Sequence, residues 1–101
     1  MNIGVSGASG HLGRAVVSEL VQRADGHKVV AITRTPETVS EPAQGRFGNY
    51  DRPERLAEAY AGLDRLLIIP TIDPTPGKRG AQNVRAIDAA VRAGVKHIVF
   101  M

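Results

Sequence analysis

The feature that most narrows what this chain can become is a glycine-spaced turn, Gly7-Ala8-Ser9-Gly10-His11-Leu12-Gly13, set between two segments of different periodicity. Before it, Asn2 to Ser6 is a short, mostly apolar run that reads as a strand. After it, Leu12, Val16, Val17, Leu20 and Val21 fall at helical spacing and leave Arg14, Glu19 and Arg23 on the other side. In such a strand–turn–helix, Gly7 permits the sharp turn and Gly10 lets backbone N–H groups approach a pyrophosphate. Gly13 lets the helix pack tightly on the strand. A bound anion sits at the positive end of the helix. The competing reading is a glycine turn that only joins the two elements.

The rest of the chain repeats the alternation. Asp25-Gly26 ends the helix, and Lys28 to Thr33 is β-branched and nearly all apolar, as a strand covered on both faces should be. A first βαβ unit is complete by Arg34. Thr35 to Gln44 contains Pro36 and Pro42 and has room for a turn or two of helix at most. Gly45 to Asn49 reads as a short edge strand, and Pro53 to Gly62 as a helix with Leu56, Tyr60 and Leu63 on one face. Arg65 to Ile69 is the most apolar run and is expected to be a central strand, and Pro70 to Gly77, with three prolines, a loop. Lys78 to Ala93 is the longest helix, with Val84, Ile87 and Val91 as its apolar stripe and Gly94 at its end. Lys96 to Met101 is the last strand. Strands alternating with helices predict an α/β fold, a Rossmann-like doubly wound parallel sheet in the order 3-2-1-4-5. Ligands are expected at the carboxyl ends of strands one and four.

Size and composition remove several function classes. At 101 residues the chain is one domain, residues 1–101, with no room for a separate substrate domain. Val95 to Met101 reads as a buried strand with no helix after it, so the expectation is a truncated unit, ending after its fifth strand, that aggregates or forms homo-oligomers. Cysteine is absent, which removes thiolate metal sites and a cysteine nucleophile. His11, His27 and His97 lie in separate segments without carboxylates at ligand spacing, so no metal site is expected. The net charge of +3 is spread along the chain rather than gathered in a basic run, which argues against direct nucleic-acid contact. Neither a basic leader nor a window of about 20 apolar residues occurs, so the expectation is a cytoplasmic protein without a membrane span. A nucleotide-triphosphatase phosphate loop fails, because Gly77-Lys78 is followed by Arg79 and Ile72 stands where the first glycine is required.

Catalytic residues are not visible. Short-chain reductases commonly use a tyrosine with a lysine four positions later, but Tyr50 is followed at that offset by Glu54 and Tyr60 by Asp64. Tyr60 reads as core, whereas Tyr50, just past the third strand, is placed to lie along an adenine. His11 lies inside the glycine turn, where its backbone is the better candidate for a pyrophosphate contact than its ring. Twenty-one residues past Gly13, where a dinucleotide site often carries an acid for the ribose 2′-hydroxyl, stands Arg34, between Thr33 and Thr35. An arginine there suits a 2′-phosphate, to which it offers a planar fork of donors and a permanent charge. A solvated arginine at a strand end is the plainer alternative.

These residues, with Leu66-Leu67-Ile68-Ile69-Pro70 and the helix from Asn83-Val84 through Ala89-Ala90 to Ala93-Gly94-Val95, resemble the NmrA-like atypical short-chain dehydrogenases, in particular the bacterial NADPH:quinone oxidoreductases among them. The likeness runs along the whole chain. It implies a Rossmann domain binding NADP(H) through Gly7, Ser9, Gly10, His11, Leu12 and Gly13, with Arg34 matching the family's 2′-phosphate arginine. Asn49-Tyr50 stands where the family usually has Asp-Tyr, and the amide can still hydrogen-bond the base. Pro70 and Thr71 match the segment near the nicotinamide ribose. The function implied is hydride transfer from NADPH to a small quinone-like acceptor. The alternative is an NmrA-type redox sensor that binds the same cofactor without turnover and acts through a protein partner.

Overall fold

A computed structural model describes residues 1–8, 11–23, 26–49, 52–69 and 78–100. Five strands, β1 (Asn2–Ser6), β2 (Lys28–Thr33), β3 (Gln44–Phe47), β4 (Arg65–Ile68) and β5 (His97–Phe100), form one sheet in the order β3-β2-β1-β4-β5. Every pairing is parallel, with Val5 opposite Ala31 on one side and Leu67 on the other. The helices are α1 (His11–Arg23), α2 (Pro53–Tyr60) and α3 (Lys78–Arg92), and a 3-10 turn, Pro36–Thr38, is the helical part of the β2–β3 connection. The doubly wound order expected from the sequence is therefore the order found.

Two apolar layers sandwich the sheet. Val30, Ile32, Leu66 and Ile68 face α2 and α3, where they meet Leu56, Ala59, Tyr60, Ala86, Ala89 and Ala90. On the opposite face Val5, Ala31 and Ile69 meet Val16, Val17 and Leu20 of α1. Alternation along β2 and β4 produces this division, since successive residues of a strand point to opposite sides. Each fully buried Leu, Ile or Val contributes about 1.5–3 kcal/mol relative to exposure, so both layers are needed to hold a parallel sheet.

The helix ends follow local chemistry. Pro53 occupies the first turn of α2, where its missing N–H costs nothing. Gly94 closes α3 with φ +79°, Gly94 N–H donating to Val91 O and Val95 N–H to Ala90 O. That pair of reversed bonds satisfies the last carbonyls of the helix and needs a residue without a Cβ at the left-handed position.

Two expectations need correction. The stripe Val84, Ile87, Val91 is not the inner face of α3: these residues are 66%, 41% and 65% exposed, while Gln82, Ala86, Ala89 and Ala90 turn inward. Alanine lets α3 approach α2 and the sheet, and larger side chains would hold it off. Strand β3 also begins one residue earlier than expected and stops at Phe47, although Gly48 N–H still donates to Thr33 O at 3.0 Å. On β5, at the sheet edge, Val99 and Phe100 are 59% and 44% exposed.

Candidate functional site

The chain leaves β1 toward β2 and β3 and later enters β4 and β5 on the other side, so the winding reverses between β1 and β4. A crevice outside the carboxyl ends of the strands forms at such a reversal. Gly7 is the first residue beyond β1 and has φ +85°, a conformation that an L side chain strains to adopt. The N–H groups of Gly7 and Ala8 both donate to Ile32 O, each at 3.2 Å, which ties the turn to β2. Gly13 is buried one turn into the structure's first helix, and a Cβ on it would lie 2.6 Å from Ala8 Cα. The close approach of helix to turn therefore depends on Gly13 having no side chain.

His11 opens α1, and the first turn of that helix contains no carboxylate. The N–H groups of a first helical turn have no partner within the helix, and with the positive end of the dipole they suit an anion. Leu12, in the same turn, is half-exposed. Across the crevice, Thr33 ends β2 in a buried position, and Arg34 beyond it is exposed. Among the described residues Arg34 has neither a hydrogen bond nor an ion pair. Asn49 lies half-buried just beyond β3, and its carbonyl accepts from Arg52 N–H at 2.9 Å at the start of α2. Ser9, Gly10, Tyr50, Pro70 and Thr71 fall outside the described residues. The structure thus brings Gly7, Leu12, Gly13, Thr33 and Arg34 to one end of the sheet, with Asn49 beside them.

Tyr60 is core, as its helical position indicated: it is fully buried, and its hydroxyl pairs with Ser6 Oγ at 2.7 Å. That bond joins the last residue of β1 to α2 beneath the crevice and gives both buried hydroxyls a partner. Sequence reasoning did not pick out this pair, whose members are 54 positions apart. It also treated Arg14 as a solvated helix residue, whereas its side chain lines a groove beside the site, together with Thr33 and Thr38. The two prolines between β2 and β3 were the available signal for that groove, since they limit the helix that would fill it.

Arrangement and order define a dinucleotide-binding Rossmann domain. A family model described as NAD(P)H-binding matches residues 7–101, and the chain belongs to that family. It is 34% identical over 102 residues to quinone oxidoreductase 2 of Escherichia coli K12, covering 97% of this chain and 35% of the relative. It is 31% identical over 108 residues to an NmrA-like family domain-containing oxidoreductase of Penicillium ochrochloron, covering 95% of this chain and 32% of that protein. Among solved structures it matches the Citrobacter sp. triphenylmethane reductase complexed with NADP(H) at 33% identity and a TM-score of 0.93, over 100% of this chain and 37% of that one. The resemblance to NmrA-like reductases is thus carried by relatives as well as by motif. The chain spans about a third of the length of the curated relatives it matches, 35% and 32%.

Proposed function

We propose that this chain is the NADP(H)-binding part of an oxidoreductase that passes hydride from NADPH to a small quinone-like acceptor. The observation that carries the cofactor reading is Arg34: an exposed guanidinium directly after β2, without a partner among the described residues, across from a glycine turn fixed to the same strand. Glycine turn and helix terminus recognise a pyrophosphate, which every dinucleotide has; Arg34 adds recognition of the 2′-phosphate, which only NADP(H) has. By the family resemblance, Asn49 and Tyr50 would serve the adenine, and Pro70 and Thr71 the nicotinamide ribose. The bound cofactor supplies the hydride, and the protein supplies orientation. The acceptor reading is supported by the E. coli quinone oxidoreductase relative.

Calorimetric titration with NADPH and NADH tests the cofactor reading. A charge-assisted contact is worth about 1.5–3 kcal/mol, so NADPH should bind roughly tenfold to a hundredfold more tightly. Arg34→Ala should remove that preference with little change in NADH binding. Equal affinities in the unsubstituted protein would return Arg34 to a solvated strand-end role. Oxidation of NADPH in the presence of a simple quinone tests the acceptor reading, and tight binding without turnover would favour the redox-sensor reading.

A further inference from the structure

The ten-residue connection from β2 to β3 has only the turn Pro36–Thr38 as helix, so the space beside α1 and over β2 that a crossover helix normally covers is open. It forms a groove of about 490 Å³, floored by Ala31 and Thr33 and walled by Arg14 and Val17 of α1 and by Thr38 and Glu41. The groove has a direction. Because α1 runs back along the sheet, its first turn, with Arg14, lies at the carboxyl end of β2, the end that carries Thr33 and Arg34. Gln44 pairs with Val30 and Phe47 with Thr33, so the segment just before β3, with Glu41, belongs to the opposite end. One end of the groove is therefore cationic and faces the cofactor corner, and the other is anionic and faces away.

Arg14 is exposed, and among the described residues its guanidinium has no hydrogen bond or ion pair, whereas Arg23 on the same helix is paired with Glu19 at 2.8 Å. The wall hydroxyl nearest in sequence to Arg34's turn is already committed: Thr38 Oγ1 donates to Thr35 O at 2.8 Å and so has no proton left for an anion. Among the residues that line the groove, the end beside Arg34 thus offers a guanidinium and no carboxylate, although Glu37 stands in the adjoining turn. Resting on the NADP(H) reading above, we propose that Arg14 is a second cation for the 2′-phosphate, reaching it from α1 while Arg34 reaches it from β2, and that it helps set the choice of NADPH over NADH. A phosphate monoester carries about −1.5 to −2 charges at neutral pH, which one arginine does not balance.

Titration of the 101-residue chain with NADPH, NADH and adenosine 2′,5′-bisphosphate tests this. Arg14→Ala should weaken NADPH and the bisphosphate about tenfold, the worth of one charge-assisted contact, and leave NADH within about twofold. Arg14→Lys should recover part of the loss, since charge survives without the planar fork. Arg23→Ala, which removes the same charge from the same helix, should change none of the three. If Arg14→Ala weakens NADPH and NADH equally, or leaves NADPH unchanged, the proposal is wrong and the NADP(H) reading stands on Arg34. If the unsubstituted chain binds neither dinucleotide, the cofactor reading itself fails and takes this proposal with it.

Discussion

Helices α2 and α3 lie side by side on the same face of the sheet yet spend their apolar residues in opposite ways. In α2 the large side chains go inside: Leu56 and Tyr60 are fully buried. In α3 alanines go inside and the large residues Val84, Ile87 and Val91 stay in solvent. The contrast shows that helical periodicity establishes that an apolar stripe exists but not that it is the buried one. Where a helix must fit against both a sheet and a neighbouring helix, the room available selects the smaller side chains, and a larger apolar stripe next to them is left outside.

Substitutions break the comparison in order of size. Leu56→Ala removes a large side chain from the inner face of α2 and should cost about 2–5 kcal/mol in chemical denaturation. Tyr60→Phe keeps the ring and removes the bond to Ser6, leaving one buried hydroxyl without its partner, for about 1–3 kcal/mol. Val91→Ser on the outer face of α3 should change stability by no more than about 0.5 kcal/mol; a loss comparable to that of Leu56→Ala would mean that this stripe is buried after all. The smallest effect concerns Asp64, which lies between the start of β1 and the residue before β5. Its carboxylate accepts from Asn2 N–H at 2.8 Å and lies 3.9 Å from Lys96 Nζ. The Asn2 bond holds its pKa below the ordinary value, helped by Lys96 and the amino terminus and opposed by partial desolvation. Folding is therefore favoured by its ionised form, a contribution complete above about pH 4 and lost as pH falls through the lowered folded-state value. Asp64→Asn should flatten the acid side of a plot of melting temperature against pH, and an unchanged slope there would remove Asp64 from the account.

Much of the architecture was legible because it rests on local signals: the glycine turn, the β-branched run from Lys28 to Thr33, Pro53 starting α2 and Gly94 stopping α3. The places of Gly13 in the first turn of α1 and of Arg34 directly after β2 were legible for the same reason, since each is defined by its offset from a strand end. The inner face of α3, the Ser6–Tyr60 bond and the groove beside Arg14 were not, because each depends on which distant segments meet in space. Valine and alanine stripes at the same spacing in α3 are equivalent until α2 and the sheet impose a distance.

The double attachment of Gly7 and Ala8 to a single carbonyl, that of Ile32, has a thermodynamic consequence. Ordering one backbone residue costs about 1–2 kcal/mol of conformational entropy, and a phosphate loop that is mobile when empty must meet that cost at the moment of binding. Here folding has already met it for these two residues, through the same strand that carries Arg34. On the proposed cofactor reading, an incoming dinucleotide would meet a preorganised start to the turn, leaving more of its interaction energy to appear as affinity.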